Sequence, residues 1–260
     1  SIEPAIDQAL SGAGVGLEDL SAIAVTARPG LIDPLLVGLS AAKAVAWTRG
    51  LPLVAVDHIK THVYAATMEN QADVRFPCIT LVVSGGHTAL YSVSPPRSME
   101  RIATTLDGAP GEAFGKVAWM QGLSYPRGPS VSKLAESGQA DPIEGRADIA
   151  ASFEQAVADS LVTQTLRAAT QAGIDQVLVA GGVACNQRLG SLMTTRAEER
   201  GIRAFFPSPA FCTGNAVMIA GLGWQQFHAG DLAKLDLEAA PRSLTRAKSA
   251  SRQADSAQQA

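Results

Sequence analysis

The chain of 260 residues is 47% hydrophobic and 17% charged, with a formal net charge of −3. This composition is typical of a globular protein with one large domain or two lobes, and it excludes a disordered chain. The net charge excludes a cationic field over the whole surface, so RNA binding would need a local basic patch or a partner. No apolar run reaches the roughly 20 residues that span a bilayer, and no signal-peptide pattern opens the chain, so we expect a cytoplasmic protein without membrane contact.

Short β-rich apolar segments alternate with longer segments of helical period, which predicts an α/β fold with a mostly parallel sheet. The predicted strands are residues 22–26, 52–56, 78–84, 88–93, 176–180 and 203–207. The predicted helices are residues 2–12, 34–49, 58–70, 111–121, 149–172, 186–200 and 214–229. From residue 241 onward Ser, Ala, Gln and scattered charges dominate, so residues 241–260 are predicted to form a disordered tail.

The cysteines do not form a metal or redox motif. Cys78, Cys185 and Cys212 are odd in number and widely spaced, and none belongs to a Cys-x-x-Cys unit. This pattern favours buried free thiols.

His58 and His62 are candidate metal ligands. They are four residues apart at the start of a predicted helix, so both imidazoles lie on one face and can reach one ion. The helix follows the strand 52–56, and sites of α/β proteins form at the carboxyl ends of strands. Zinc proteases with this spacing carry a glutamate after the first histidine, whereas this chain has Ile59, which disfavours a peptidase.

Two glycine pairs are candidate phosphate-binding loops. The segment Val82-Val83-Ser84-Gly85-Gly86 leads into a turn where backbone N–H groups could approach a phosphate, although a plain hairpin is the better interpretation of this segment alone. Gly181-Gly182 runs from a strand into a helix that starts near Asn186, which could cap the helix or bind a ligand hydroxyl. Together the two loops favour a ligand that carries phosphate.

Several ordered segments together resemble one family, the tRNA threonylcarbamoyl-adenosine transferases, known in bacteria as the TsaD group. The resemblance extends from about residue 15 to about residue 240. The segments that carry it are Pro29-Gly30-Leu31, Leu36-Val37-Gly38-Leu39-Ser40-Ala41-Ala42-Lys43, the pair His58 and His62, Ser84-Gly85-Gly86-His87-Thr88, Gly111-Glu112-Ala113-Phe114, Tyr125-Pro126, Gly181-Gly182-Val183-Ala184 and Cys212-Thr213.

The resemblance implies a two-lobed fold of the actin, sugar-kinase and heat-shock-chaperone type (ASKHA), with ligand and metal in the cleft between the lobes. It implies a first lobe of residues 1–78 with 215–238 and a second lobe of residues 79–214. The opening strand pair of the family is absent from this sequence. We therefore expect an N-terminally truncated family member with an incomplete first lobe.

The resemblance also implies an activity. The family transfers threonylcarbamoyl from threonylcarbamoyl-AMP to the exocyclic amine of the adenosine beside the anticodon, in tRNAs that read codons starting with A. One divalent metal per subunit, iron(II), is implied as cofactor. The implied partners are tRNA, a smaller paralogous subunit (TsaB-like) and an ATPase subunit (TsaE-like).

The pattern of the family assigns site residues. His58 and His62 are implied to bind the metal, and position 214 is implied to hold the third ligand. No further catalytic residue is assigned. The implied substrate-binding residues are Val82, Val83, Ser84, Gly85, Gly86, Gly115, Gly128 and Asn186.

Three glycines depart from the family, which has aspartate at the positions of Gly108, Gly115 and Gly214. Gly214 leaves the metal with two protein ligands. Because glycine is nearly as good an N-cap as aspartate, we expect Gly214 to preserve the start of the helix 214–229.

Three bulkier residues, Arg28, Asp33 and Arg127, stand where the family has glycine. We expect them to strain a turn that needs positive φ or to intrude on the cleft. Two functions therefore remain open for this chain. It is either an active transferase or a catalytically impaired homologue that binds nucleotide or partners as a scaffold.

Overall fold

The computed structural model describes residues 2–70, 72–94, 98–106, 108–243 and 246–247. Its helices in chain order are α1 (Ile2–Ala13), α2 (Ile32–Arg49), α3 (His58–Glu69), α4 (Pro110–Met120), α5 (Arg127–Ala135), α6 (Arg146–Ala172), α7 (Gln187–Glu198), α8 (Pro209–Cys212) and α9 (Ala216–His228). Its strands are β1 (Ile23–Arg28), β2 (Leu53–Asp57), β3 (Cys78–Val83), β4 (Thr88–Ser94), β5 (Ser98–Thr104), β6 (Gln176–Ala180), β7 (Arg203–Phe205) and β8 (Arg246–Ala247). Single 3-10 turns form at Leu17–Asp19 and Gly182–Cys185.

The chain divides into two compact units. Unit 1 comprises Ser1–Met68 and Thr213–Leu244, and unit 2 comprises Glu69–Cys212 and Thr245–Ala260. The resemblance instead implies that the chain passes from the first lobe to the second after residue 78. The segment after Met68 joins unit 2 because Asn70 donates a hydrogen bond to the carbonyl of Phe206 at 3.2 Å, and the carboxylate of Glu69 accepts one from the N–H of Ser208 at 2.6 Å.

Unit 1 is built on a two-stranded parallel sheet of β1 and β2 with a helix on each face. Alternate strand residues point to opposite faces, because the side chains of a strand have a period of two. On one face Val25 and Leu53 pack against Leu39 of α2, and on the other face Val54 packs against Leu222 of α9. This arrangement places the start of α3 directly at the carboxyl end of β2.

Unit 2 is built on a six-stranded sheet in the order β7-β6-β3-β4-β5-β8. The pairs β3–β6, β6–β7 and β5–β8 are parallel, whereas β3–β4 and β4–β5 are antiparallel. The α/β prediction is confirmed, but the sheet is more mixed than expected, because the short connections after β3 and β4 allow hairpins and leave no room for crossover helices. The central strand β3 is buried along its whole length.

Besides β8, three elements of unit 2 were missed in the sequence, namely β5, α5 and the short helix α8. The strand β5 is half-exposed and polar, and the helix α5 lies in a segment rich in Pro and Gly. In the predicted disordered tail, Arg246–Ala247 pair with Glu100 and Arg101 of β5. Residues 244–245 and 248–260 of that tail lie outside the described residues. Across the described ranges, no helix combines the length and the apolar character needed to cross a bilayer.

Candidate functional site

The histidine pair lies where the sequence places it, on the first turn of α3. The helix begins at His58, immediately after β2, and the carboxylate of Asp57 accepts a hydrogen bond of 3.0 Å from the N–H of Ile59. The ring centroids of His58 and His62 are 4.7 Å apart at 66°. The two imidazoles are therefore adjacent on one helical face, as the i, i+4 spacing predicts.

Burial keeps His62 in the neutral form that can bind a cation. Its side chain is 3% exposed. Desolvation by burial, followed by repulsion from His58, lowers the pKa of His62 to about 4. Its Nδ1 atom is buried without a hydrogen-bond partner among the described residues. Such an atom costs about 1–3 kcal/mol, and a neutral imidazole that offers a lone pair fits a nitrogen-binding cation such as iron(II) or zinc(II).

Gly214 lies against the imidazole of His58. A Cβ atom built on Gly214 would be 3.0 Å from Cε1 and 3.6 Å from Nε2 of His58. A carboxylate at position 214 would therefore reach the histidine pair, whereas glycine offers no ligand. Within the described part of the chain, no group of three or more His, Cys, Asp or Glu residues is arranged to hold a metal. The pair thus offers two adjacent imidazoles, and position 214 adds no side chain to them.

The start of α9 does not depend on Gly214. The N-cap is Asn215, whose Oδ1 atom accepts a hydrogen bond of 3.1 Å from the N–H of Met218. The expectation that Gly214 caps this helix is therefore wrong by one residue, because asparagine offers a side-chain oxygen that glycine lacks.

Within unit 1, His58 and Gly214 both line a largely apolar cavity of about 1010 Å³.

A second cavity of about 1080 Å³ lies within unit 2 and brings together half of the predicted substrate-binding residues. The predicted residues that line it are Gly85, Gly115, Gly128 and Asn186. Its lining also includes the cations Arg127, Lys133 and Arg188 and the carboxylates Glu136 and Glu154.

The other predicted residues belong to the β3–β4 hairpin. Val82 and Val83 are fully buried in β3, and the N–H of Ser84 donates a hydrogen bond of 2.8 Å to the carbonyl of His87. Gly86 is an exposed residue of the same turn. None of these four residues lines the unit 2 cavity, whereas Gly85, which lies between Ser84 and Gly86, does.

Two glycines allow close backbone approach beside the unit 2 cavity. A Cβ atom on Gly111, at the start of α4, would be 2.5 Å from the Cα of Gly85 and 2.7 Å from the carbonyl of Ser84. Gly181 has a φ of +100°, and a Cβ atom there would collide with the carbonyl of Val83. At Gly111 and Gly181 the backbone thus packs directly against the backbone of residues 83–85, which leaves no space for a side chain.

The side chain of Asn186, in the wall of the unit 2 cavity, makes three hydrogen bonds. Its Oδ1 atom caps α7 by accepting a hydrogen bond of 2.8 Å from the N–H of Leu189. Its Nδ2 atom donates to Oε1 of Glu154 at 2.6 Å and to Oγ of Ser132 at 3.1 Å. The sequence analysis missed Glu154, although a carboxylate between Ala150 and Ala158, on the buried face of α6, is an available signal.

Arg28, Asp33 and Arg127 cause no backbone strain. Among the described residues, positive φ values occur only at glycines, so the strain expected at Arg28, Asp33 and Arg127 is absent. Arg127 does line the unit 2 cavity, and its Cδ atom lies 4.0 Å from a Cβ atom built on Gly115. Gly108 lies apart from that cavity, and a Cβ atom there would be 3.7 Å from the carboxylate of Glu112.

The cysteines are free thiols, as predicted, but one of them is not buried. Cys78 and Cys212 are buried, whereas Cys185 is exposed and lines the unit 2 cavity. The prediction of burial is wrong for Cys185 because it ends the 3-10 turn that precedes α7.

Comparison with solved structures defines the fold class. The structure of T. kodakarensis HypF matches with a TM-score of 0.63 and 14% identity, covering 86% of this chain and 42% of that chain. Full-length HypF in the phosphate- and nucleotide-bound form matches with a TM-score of 0.62 and 14% identity, covering 83% and 40%. At this identity the likeness concerns the fold alone, which is the predicted ASKHA-type α/β fold.

Sequence relatives define the family. The profile of TsaD, tRNA N6-adenosine threonylcarbamoyltransferase, matches residues 1–221. Curated proteins of that name are 44% identical in Symbiobacterium thermophilum, over 92% of this chain and 80% of the relative, and 41% identical in Syntrophotalea carbinolica, over 90% and 78%. The protein of that name from Bacillus licheniformis is 40% identical over 91% and 79%. The chain belongs to the tRNA N6-adenosine threonylcarbamoyltransferase family.

Proposed function

We propose that this chain transfers the threonylcarbamoyl group of threonylcarbamoyl-AMP to the N6 amine of the adenosine beside the anticodon, in tRNAs that read codons starting with A. The observation that carries the proposal is the family match over residues 1–221, together with relatives at 40–44% identity. The cavity that gathers Gly85, Gly115, Gly128 and Asn186 supports a nucleotide site in unit 2.

The reaction needs positioning more than covalent chemistry. The amine attacks the carbonyl carbon, a C–N bond forms, the C–O bond to the phosphate breaks, the amine loses a proton and AMP leaves. Holding the two reactants together removes much of the entropic barrier of a bimolecular step. Arg127, Lys133 and Arg188 line the cavity and would offset the charge of the phosphate.

A divalent cation, iron(II), is proposed as cofactor, held by His58 and His62. When bound, such an ion would supply Lewis-acid stabilisation of negative charge. The support is the adjacency of the imidazoles and the buried Nδ1 atom of His62. Because position 214 offers no carboxylate, we expect weaker metal binding than a site with three protein ligands would give.

The proposed partners are tRNA, a smaller paralogous subunit (TsaB-like) and an ATPase subunit (TsaE-like), and the proposed location is the cytoplasm. The net charge of −3 supports a role for partners in tRNA binding, since the chain has no overall excess of cations to neutralise phosphates.

A reconstituted reaction tests the function. The chain is incubated with iron(II), threonylcarbamoyl-AMP, unmodified tRNA and both partner subunits, and the digested tRNA is analysed by mass spectrometry for threonylcarbamoyladenosine. We expect the modified nucleoside to accumulate with time. If none forms while a family relative is active in parallel, the chain is the impaired scaffold, an alternative that the absent carboxylate at Gly214 favours.

A further inference from the structure

Two of the three cysteines lie together in unit 2. Cys185 ends the 3-10 turn Gly182–Cys185, and Cys212 ends the short helix α8, which packs against that turn. Ala184, the residue before Cys185, belongs to the same buried apolar cluster as Cys212. Packing therefore holds the turn and the helix together, and each of these two elements ends on a thiol.

The thiol of Cys185 lies against the helical turn that carries Cys212. Its Sγ atom is 4.0 Å from the carbonyl oxygen of Pro209, the first residue of α8. In a helix this oxygen lies close to the side chain of the residue three positions later, which is why serine and threonine hydroxyls can bond to it. That residue is Cys212, and the thiols of Cys185 and Cys212 are in hydrogen-bond contact.

The two thiols differ in their access to an oxidant. Cys185 is exposed and lines the unit 2 cavity, so a small molecule can reach it. Cys212 is 1% exposed, and burial, followed by the neighbouring Cys185 thiol, raises its pKa. An oxidant therefore meets Cys185 first, while Cys212 can react only with the sulfur beside it. Exposed redox-active cysteines are often paired in this way with a second, resolving cysteine.

We infer that Cys185 and Cys212 form a reversible disulfide, which makes unit 2 sensitive to oxidation by a low-molecular-weight disulfide such as oxidised glutathione. The Cys185 thiol loses its proton and its sulfur attacks the oxidant, whose S–S bond breaks. One glutathione thiolate leaves and takes up a proton. The Cys212 thiol then loses its proton and its sulfur attacks the Cys185 sulfur, which expels the second glutathione. Two protein thiols are oxidised, and one glutathione disulfide is reduced to two thiols.

The disulfide would cross-link the wall of the unit 2 cavity to α8. The linked residues enclose a loop of about 30 residues that contains α7 and β7. Closing such a loop lowers the entropy of the unfolded chain, so the oxidised protein should be the more stable form. We expect its equilibrium constant for unfolding to be about a hundredfold smaller than that of the reduced protein.

Peptide mapping without reduction tests the disulfide. The full chain is incubated with oxidised glutathione at neutral pH, its remaining thiols are alkylated with iodoacetamide in denaturant, and the digest is analysed by mass spectrometry. We expect the peptides of Cys185 and Cys212 to be linked, Cys78 to be alkylated, and dithiothreitol to break the link. Chemical denaturation of the oxidised and the reduced chain measures the gain in stability.

Three single variants assign the chemistry. Cys78→Ala removes the buried thiol of β3, which contacts Thr80, so it is the matched control and should leave the link at its wild-type extent. Cys212→Ala should stop the reaction at the mixed disulfide between Cys185 and glutathione. Cys185→Ala should leave Cys212 reduced, because the two remaining thiols are buried. If a variant of the pair does not fold, the wild-type map and Cys78→Ala still decide the question.

The outcomes do not depend on the transferase assay, so the disulfide stands or fails apart from the proposed function. Glutathione retained on Cys185 while Cys212 is alkylated would overturn the inference. A link to Cys78, or a link between two chains, would overturn it as well. A link from Cys185 to Cys212 that brings no gain in stability would show that the fold does not place these thiols for a disulfide.

Discussion

The contact between Gly214 and His58 determines what a side chain at position 214 would meet. Gly214 has no side chain, and a Cβ atom built on it would be 3.0 Å from Cε1 of His58. At that distance the imidazole must shift by a few tenths of an ångström to admit a side chain.

Gly214→Asp should increase metal binding. The new carboxylate would add a charged third ligand beside the imidazoles, and hard or borderline divalent ions bind carboxylates readily. We expect metal content after anaerobic loading with iron(II) and desalting to rise at least about tenfold, since one added ligand is worth more than 1.4 kcal/mol. The measurement is elemental analysis per mole of protein.

Gly214→Asn is the control for this substitution, because it adds the same bulk without the charge. Equal metal content in both variants would show that position 214 does not coordinate the metal. His62→Ala in the Gly214→Asp background should remove the added metal, which ties the effect to the histidine pair.

The three thiols should differ sharply in reactivity. Burial raises the pKa of Cys78, and burial followed by the neighbouring Cys185 thiol raises the pKa of Cys212, so neither forms thiolate readily. Cys185 is exposed. We expect iodoacetamide at neutral pH to alkylate one cysteine in the native chain and all three in denaturant. Peptide mapping that finds native-state label at Cys78 would contradict the burial described here.

At the residue scale, the sequence predicts what depends on local spacing. Residues four apart on a helix are neighbours whatever the rest of the fold does, so the adjacency of His58 and His62 could be predicted. The group of Ser132, Glu154 and Asn186 could not, because α5, α6 and the N-cap of α7 contribute one member each and only tertiary packing brings them together.

At the element scale, α4 packs against the β3–β4 hairpin with no space for a side chain. Gly111→Ala would force a Cβ atom against the backbone of Gly85 and Ser84, which cannot rotate away as a side chain can. We expect a loss of about 2 kcal/mol in the free energy of unfolding, typical of overpacking. Chemical denaturation of the purified variant measures this loss.

Gly190→Ala is the matched control for Gly111→Ala. Gly190 lies inside α7, and a Cβ atom there would meet nothing within 4 Å. Alanine is the better helix former, so this variant should gain about 0.5–1 kcal/mol. If both variants are destabilised alike, the close approach at Gly111 is not the cause.

The first turn of α6 should confer stability that depends on pH. The carboxylate of Asp148 accepts hydrogen bonds from the N–H groups of Gln139 (2.8 Å), Glu144 (3.0 Å) and Gly145 (2.8 Å). The bond from Gln139, then that from Glu144, hold the pKa of Asp148 below its ordinary value. A lowered pKa contributes stability above the unfolded-state pKa, and this stability is lost as the pH falls through the folded-state pKa.

Asp148→Asn should therefore lower the melting temperature at neutral pH, and the difference from the wild type should shrink as the pH falls below about 4. Thermal melts from neutral pH to about pH 3 measure this. Asp175→Asn is the control, because the exposed carboxylate of Asp175 makes no hydrogen bond or ion pair with the described residues. A difference that stays constant with pH would contradict the role of the carboxylate.

Elements with a strong apolar pattern could be predicted, and those without one could not. The strands β2, β3 and β6 and the helix α2 appear within a few residues of their predicted bounds, because their burial imposes the pattern. The strand β5 was not predicted because its residues are half-exposed. The mixed pairing of the sheet was not predicted because it depends on connections that composition alone does not determine.

At the scale of the whole molecule, each unit has its own core. The core of unit 1 lies on both faces of the β1–β2 sheet, and the larger core of unit 2 lies between its sheet and the helices α6 and α7. Separate cores unfold as separate cooperative units when their stabilities differ.

Scanning calorimetry should therefore resolve two transitions. Gly111→Ala should lower only the midpoint of the unit 2 transition, by roughly 4–8 °C for a loss of about 2 kcal/mol. Gly214→Asn alters unit 1 and should leave that midpoint unchanged. A single transition that both variants shift would contradict independent unfolding.

The path of the chain determines how the residues of unit 2 are arranged in the gene. Residues Glu69–Cys212 form one uninterrupted stretch that leaves unit 1 after Met68 and returns to it at Thr213. One coding segment therefore encodes Ser132, Glu154 and Asn186 together, while His58 and Gly214 are encoded on either side of it. Recombination between two related genes at these junctions would exchange the whole unit 2 cavity and leave the parental histidine pair in place.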